Sequence, residues 1–439
     1  MFNRLKYYIK KLIRQGFTFK MILKKLQKSQ YFSAKQLTEL QNQKLRKIIN
    51  HCYKNIPYYS ELFDNLGLKP EDIKVKEDLE KLPFMDKFTV RDNFDKLIAK
   101  NKNRFFSVLG QTSGTTGTPL KLYRDYYSVN FENAAANRHY LSVVDLNSRK
   151  VTLRGQLIVP VEQQEPPFWE YNPADNELIM SSYHLSNKTA KIFIEKIKEF
   201  NPKIIFAYPS SAYLLAQHFS TLNEKLNLEA VFTSSEKLDE SCRELIENTF
   251  NCKIYDWYGQ AERVAAIGQC EKGTYHIIED YSITETFQTE NGLELVGTTL
   301  DNYIMPLLRY KTGDIIELSK EKCSCGRNFR EVSKIQGREA TYILITDGPK
   351  YVAFNHIPRG VNNIIEVQFV QEKINELIIN IVAAPDFSKK DRDLFIKNTL
   401  EHTCPDLSII INEVGQIPRG ANGKFKSVIN KLIGKQNEE

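Results

Sequence analysis

The sequence predicts an α/β protein with a parallel sheet at its centre. Three observations carry this: short apolar runs of strand length, helix-periodic segments between them, and polar or glycine-containing stretches just after each run. Thr189 to Phe200 sets Ile192, Phe193, Ile197 and Phe200 on one helical face, and Ile204 to Phe206 follows as a strand. A helix from about Ser210 to Leu222, a strand at Ala230 to Phe232, a helix at Lys237 to Phe250 and a strand at Lys253 to Tyr255 repeat the unit. Crossovers of this kind are right-handed, and ligands bind off the carboxyl ends of the strands. Tyr208-Pro209-Ser210, Thr233-Ser234-Ser235-Glu236 and Trp257-Tyr258-Gly259-Gln260 are therefore expected to line one cleft.

Before this core, residues 36–100 read as charged helices broken at Pro57, with another opening between Asp86 and Asp95. From His276 the pattern becomes alternating strands with tight turns such as Asn291-Gly292, an antiparallel, barrel-like part of the same domain. After Gly337 the chain reads as a small α+β unit, with strands at Ile343 to Ile345, Ile364 to Val370 and Leu377 to Val382 and a helix at Lys390 to Glu401. The expected division is a large domain over 1–336 and a small one over 337–439.

Composition narrows the classes. The chain has 439 residues, 41% of them hydrophobic, enough for a sizeable core. Its seven cysteines, in a chain of this size, do not read as a disulfide framework. No apolar run reaches the ~20 residues of a membrane span. Lys10, Lys11 and Arg14 interrupt the one stretch that resembles a secretory signal, so the cytoplasm is the expected location. The net charge of +7 is unevenly spread. Residues 1–38 form a basic helical arm with ten Lys and Arg and no Asp or Glu, and Leu5, Tyr8, Ile9, Leu12, Ile13 and Phe17 recur in it at helical spacing. Such an arm is expected to pack on the main domain, with peripheral contact to an anionic membrane as the other reading. One basic arm with no recognisable module does not indicate nucleic acid.

The most particular string is Thr112-Ser113-Gly114-Thr115-Thr116-Gly117-Thr118-Pro119. Glycines let backbone N–H groups approach a polyphosphate, and hydroxyls add donors to its oxygens. It is not the GxxxxGK[ST] loop. It resembles the phosphate loop of the adenylate-forming superfamily, which includes acyl-CoA synthetases, luciferases and peptide-synthetase adenylation domains. Further motifs follow in the order of that family. Tyr258-Gly259-Gln260-Ala261-Glu262 resembles the aromatic-Gly-x-x-Glu motif, Tyr310-Lys311-Thr312-Gly313-Asp314 the Tyr-Arg-Thr-Gly-Asp motif, Gly337-Arg338 the start of the hinge, and Pro418-Arg419-Gly420-Ala421-Asn422-Gly423-Lys424 the segment of the adenylation lysine. The front end, Lys44 to Leu62 with Asn55-Ile56-Pro57-Tyr58-Tyr59, resembles the phenylacetate-CoA ligase branch, nearest its capsular polysaccharide biosynthesis and coenzyme F390 synthetase-like members.

The resemblance implies the adenylate-forming fold, with the small C-terminal domain as a mobile lid. It implies ATP and AMP held by Thr112 to Gly117, Glu236, Tyr258, Gly259, Gln260, Asp314 and Arg338, with Asp314 on the ribose hydroxyls. Glu262 would support Mg²⁺, a cation that takes oxygen ligands. Lys424 would stabilise the charge that develops as a carboxylate attacks the α-phosphate, with Lys426 in reserve. CoA is the usual acyl acceptor of such enzymes. One departure bears on it, because Ala340 stands where the hinge usually has an Asp. That favours a rival in which the acyl group passes directly to an amine or hydroxyl. A non-catalytic nucleotide-binding protein is the third reading, and Glu262, Asp314 and Lys424 argue against it.

Two further constellations stand out. Cys270, His276, Cys323 and Cys325 supply three thiols and an imidazole, a set that suits tetrahedral Zn²⁺ with no open position and hence a structural role. Some members of the phenylacetate-ligase-like branch carry a similar set. For the acyl pocket the candidates are Tyr208, Ser210, Ser234, Trp257 and Ala261, together with Glu236, Gln260 and, more weakly, His184. Aromatic lining suits an aryl or alicyclic acid, polar lining a hydroxylated or amino acid. Neither the acid nor the oligomeric state is legible.

Overall fold

The computed structural model describes residues 2–111, 120–160, 162–186, 188–338, 342–346, 348–351, 354, 357–358, 361–419 and 425–432. The early part is helical, with α1 (Phe2–Gln15), α2 (Phe17–Ser29), α3 (Ala34–Asn55), α4 (Pro57–Asn65) and the short α5 (Lys87–Asp92). Pro57 both ends α3 and opens α4, since a first-turn residue has no helical use for the N–H that proline lacks. An antiparallel hairpin of β1 (Ser107–Gln111) and β2 (Lys121–Asp125) follows, with Gln111 opposite Lys121. Asp125 then caps α6 (Tyr126–Leu141) by accepting the Ser128 N–H at 2.6 Å.

The expected alternation is present. After β3 (Lys150–Leu153), β4 (Trp169–Asn172) and β5 (Glu177–Met180) come α7 (Ala190–Phe200), β6 (Ile204–Ala207), α8 (Pro209–Thr221), β7 (Ala230–Ser234), α9 (Glu240–Phe250) and β8 (Lys253–Gly259). Strands β5, β3, β6, β7 and β8 are parallel neighbours in that order. Every residue of β6 and β7 is buried because helices cover both faces. On one face Phe193, Leu215, Phe219, Ile246 and Phe250 pack against Val151, Ile205 and Val231. On the other, Tyr140 of α6 meets Phe206 and Phe232.

The antiparallel strands continue this sheet. β9 (Ala266–Gln269), β10 (Tyr275–Ile277), β11 (Ile283–Thr289), β12 (Gly292–Thr298), β13 (Tyr310–Leu318) and β14 (Glu331–Arg338) complete a twelve-stranded sheet ordered β11-β12-β13-β14-β10-β9-β8-β7-β6-β3-β5-β4. The β11–β12 turn uses Gly292 at φ +126°, which a residue with a side chain rarely adopts.

Later residues make a hairpin of β15 (Tyr342–Ile345) and β16 (Gly348–Tyr351). They also make a four-stranded sheet ordered β19-β18-β17-β20, from β17 (Ile364–Gln371), β18 (Glu376–Ala383), β19 (Ser408–Glu413) and β20 (Val428–Asn430). α10 (Lys389–His402) covers this sheet through Phe395, which packs with Phe369 and Ile379. Ile365, Val382 and Ile417 belong to the same apolar cluster as α8 and β6, so the two sheets are joined by packed side chains. Among the described residues no helix is long and apolar enough to cross a membrane.

Candidate active site and metal centre

Parallel register brings the carboxyl ends of β5, β3, β6, β7 and β8 to one edge of the sheet. The segments that leave them are Ser181 to His184, Arg154-Gly155, Tyr208 to Ser210, Ser234 to Glu236 and Tyr258 to Glu262. They are also stitched together. The Tyr208 N–H donates to the Leu153 carbonyl at 3.2 Å, and the Tyr183 hydroxyl donates to the Gly155 carbonyl at 3.4 Å.

Glu236 is the hub of this edge. One carboxylate oxygen accepts the Ser210 N–H at 3.0 Å, at the positive N-terminus of α8, and the other accepts the Phe425 N–H at 3.1 Å. Burial pushes its carboxyl up, and these hydrogen bonds and the nearby Arg419 oppose the shift. With both oxygens engaged by backbone donors, Glu236 ties the two sheets together, where the sequence had suggested a cofactor ligand. Phe425, which follows Lys424 in the sequence, is thereby held at the strand ends. The backbone carbonyl of Lys426 accepts from the Gln368 side-chain amide at 2.9 Å. Lys424 itself lies outside the described residues, as do Thr112, Ser113, Gly114, Thr115, Thr116 and Gly117, whose flanks are β1 and β2. Glu339 and Ala340 are outside them too.

Beside this edge, the Tyr258 hydroxyl donates to Asp314 at 2.7 Å. Burial, reinforced by that carboxylate, holds the Tyr258 phenol far above its ordinary value. Asp314 on β13 pairs across the sheet with Arg338 on β14, which puts these two motif residues in register; only the backbone of Arg338 is described. Glu262 is buried and accepts from the Tyr310 hydroxyl at 3.1 Å. Glu262, Ala261, Tyr281 and Arg124 line one small cavity. Arg124 donates to the Ala261 carbonyl at 2.5 Å, and burial, with Arg263 adding, pulls its guanidinium down to about 10. Gly110 leaves it room, since a Cβ there would sit 2.5 Å from Arg124 Nη1.

The remaining pocket candidates divide. The side-chain amide of Gln260 is buried at both Oε1 and Nε2 without a partner among the described residues. Ser234 sits at the end of β7, its hydroxyl 3.3 Å from that of Ser235. Gly259 has Trp257 Nε1 3.2 Å from where its Cβ would be. Trp257 turns toward α6 and is held between sheet and helix, its ring 5.2 Å from that of His139, so the structure gives it a packing role. His184 stacks on Phe168, and its Nδ1 pairs with the Ser181 hydroxyl at 2.8 Å. Its Nε2 is buried with no partner among the described residues.

The four metal candidates, distant in sequence, converge. Their ligand atoms all lie within 4.8 Å of one another. Cys270 Sγ is 3.6 Å from Cys323 Sγ, and Cys325 Sγ is 3.5 Å from His276 Nε2. A tetrahedron with Zn–S near 2.3 Å and Zn–N near 2.1 Å has S···S and S···N edges of about 3.8 and about 3.6 Å, so these separations fit a shared cation. The sulfurs are too far apart for a disulfide of about 2.0 Å. His276 Nδ1 lies 3.3 Å from the Phe329 carbonyl, which fixes the ring with Nε2 toward the thiols.

Comparison with known proteins agrees with this geometry. Residues 345–431 match the family model of the CapK C-terminal domain. The chain is 28% identical to Protein CapK of Staphylococcus aureus over 413 residues, 90% of each sequence. It is 26% identical to phenylacetate-coenzyme A ligase of Thermus thermophilus over 338 residues, 71% of this chain and 72% of that one. The fold superposes on a crystal structure of 2-hydroxyisobutyryl-CoA ligase in the postadenylation state, in complex with 2-HIB-AMP, with a TM-score of 0.70 at 15% identity over 93% of both chains. On the same ligase in the thioesterification state the score is 0.59 at 16% identity, again over 93% of both. The chain is therefore similar in sequence to CapK and to the phenylacetate-CoA ligases, and it has the fold of the adenylate-forming ligases.

Two arginines escaped the sequence reading. Arg124 has its Nε buried without a partner among the described residues, and Arg154 has both Nε and Nη2 so placed. Arg154 directly follows β3, its guanidinium 5.3 Å from the Phe206 ring centroid, and its charge acts on Tyr208. The available signal was position: Lys150 to Leu153 is a short run, and the residue after a parallel strand faces the cleft.

Proposed function

We propose that this chain activates a carboxylic acid with ATP as an acyl-adenylate, releasing pyrophosphate, and passes the acyl group to an acceptor. The observation that carries the reading is the Glu236 bridge, which fastens the backbone beside Lys424 to the strand ends next to Tyr258, Asp314 and Glu262. Attack of a carboxylate on the α-phosphate brings two anions together, so fixed cations and dipoles must carry the catalysis. Lys424 supplies the charge at the reacting oxygens, Glu262 holds Mg²⁺, Asp314 with Arg338 holds the ribose, and Thr112 to Gly117 cradles the phosphates. On this reading residues 1–336 form the large domain and 337–439 a lid. Cys270, His276, Cys323 and Cys325 hold a structural Zn²⁺, which cross-links β9, β10 and the β13–β14 loop.

For the substrate class, Arg154 is the discriminating feature. A guanidinium with two buried nitrogens lacking acceptors among the described residues suits an acid that brings its own, a second carboxylate or a carbonyl remote from the reacting group. The acceptor reading favours direct transfer to an amine or hydroxyl, on the strength of Ala340 in the hinge; transfer to CoA is the alternative.

ATP–pyrophosphate exchange over a panel of mono- and dicarboxylic acids tests the first step, and thioester formation on adding CoA separates the acceptors. Lys424→Ala is expected to lower exchange by roughly 10²–10³-fold with ATP binding retained. Unchanged exchange would move the role elsewhere.

A further inference from the structure

The apolar stripe of α1 faces away from the protein. Leu5, Tyr8, Ile9, Leu12 and Ile13 share one arc of the helix and are exposed, Leu12 at 72%, and Phe17 beyond Gly16 is 84% exposed. The opposite, polar arc makes the contacts. Tyr7 is buried, Lys6 pairs with Glu170 at 2.8 Å, and Lys11 pairs with Asp175 at 2.9 Å and donates to the Ala174 carbonyl at 2.5 Å. A helix that packs to cover its own apolar face does the reverse. α2 shows that usual pattern, burying Phe19, Ile22 and Leu26 and turning Lys20, Lys24 and Lys28 outward with Phe17 and Met21. Both helices rest on α6: Tyr126 donates to the Ile13 carbonyl at 2.9 Å, and Arg138 to the Leu26 carbonyl at 2.9 Å. Lys10 and Arg14 are exposed on the other arc of α1, and the stripe leads on into α2, whose Lys20, Lys24 and Lys28 are exposed.

We propose that this surface docks on an anionic phospholipid membrane. α1 would lie along the interface with Leu5, Tyr8, Ile9, Leu12 and Phe17 at the boundary between headgroups and acyl chains, and the lysines would meet headgroup phosphates. Charge selects this occupant. Residues 1–38 carry ten cations and no acid, so a second copy of the same face would set like charges against each other, whereas an anionic bilayer offers apolar and negative surface together. The body of the protein supplies the ion pairs that hold α1 with its stripe outward.

The test is co-sedimentation of the full chain with phosphatidylglycerol–phosphatidylcholine vesicles and with phosphatidylcholine alone, at low and high salt. Binding to the anionic vesicles only, weakened by salt, is expected. Each of Lys20→Gln, Lys24→Gln and Lys28→Gln should weaken it by roughly fivefold, and Leu12→Glu by at least about tenfold. Leu12 is exposed, so Leu12→Glu should melt at the parent's temperature in the absence of lipid. Failure of the folded protein to bind anionic vesicles would overturn the proposal, as would undiminished binding by Leu12→Glu. A dimer in lipid-free solution that Leu12→Glu dissolves would give the stripe to a second copy and overturn it equally.

Discussion

Where α2, α6, β10 and the Cys325 loop meet, buried charge is matched by charge. Arg138 grips Asp280 through two hydrogen bonds of 2.5 and 3.0 Å, with both side chains almost fully buried. Arg327 pairs with Glu271 at 2.8 Å and Arg330 with Glu279 at 2.5 Å, beside the four convergent thiol and imidazole groups. At the carboxyl ends of β3, β5 and β8 the pattern inverts. Arg154, His184 and Gln260 hold buried polar atoms that no described residue satisfies. Leaving such atoms unpaired costs on the order of 1–3 kcal/mol each, so a fold keeps them where something else will pair with them. The first corner holds the molecule together, and the second is where the proposed acid would bind.

Removing the proposed metal should break the comparison most strongly. Chelation, or Cys325→Ser, is expected to lower stability by on the order of 5 kcal/mol or more, read as a fall in melting temperature alongside a metal count of one per chain by mass spectrometry. An unchanged melting curve would reduce the quartet to ordinary packing. Arg138→Ala strands Asp280 as an uncompensated buried carboxylate and should cost about 3–5 kcal/mol in urea denaturation, loosening α2 from α6.

Acid gives a smaller effect through His139. Burial first, then Arg138 and Arg327, pulls its imidazole down to about 3 from 6.5. The unfolded chain therefore takes up this proton near its ordinary value while the native state refuses it. The contribution is complete above that value, declines as pH falls, and is lost toward about 3. By pH 5 the loss from this one group is about 2 kcal/mol, measurable by denaturant titration across pH. Arg154→Met sharpens the other side of the comparison. Stability should move by no more than about 0.5 kcal/mol, or rise slightly. The preference in pyrophosphate exchange for acids with a second acceptor group should disappear. An equal loss for every acid would instead put Arg154 on the reacting carboxylate.

Much of this was legible in the residues. The alternation from Thr189 to Tyr255 is set by local periodicity, and α7, β6, α8, β7, α9 and β8 follow it closely. The Cys270, His276, Cys323 and Cys325 set could be picked out because ligand chemistry restricts the residue types. Trp257 and Glu236 were less readable, since an aromatic or a carboxylate beside a motif serves core or ligand equally well. Their contacts with His139, Ser210 and Phe425 come from distant parts of the chain.

By itself, then, the sequence determined which segments are helix and strand, which strand ends gather, and that residues 1–38 form a basic amphipathic arm. Only the tertiary structure decided which way that arm faces, that Glu236 bridges the two sheets, and that two buried nitrogens of Arg154 find no acceptor among the described residues. The physical reason is that periodicity reports the existence of an apolar face from neighbours three and four residues apart. What that face meets depends on surfaces such as Glu170 and Asp175, far along the chain, whose positions exist only once the sheet has formed.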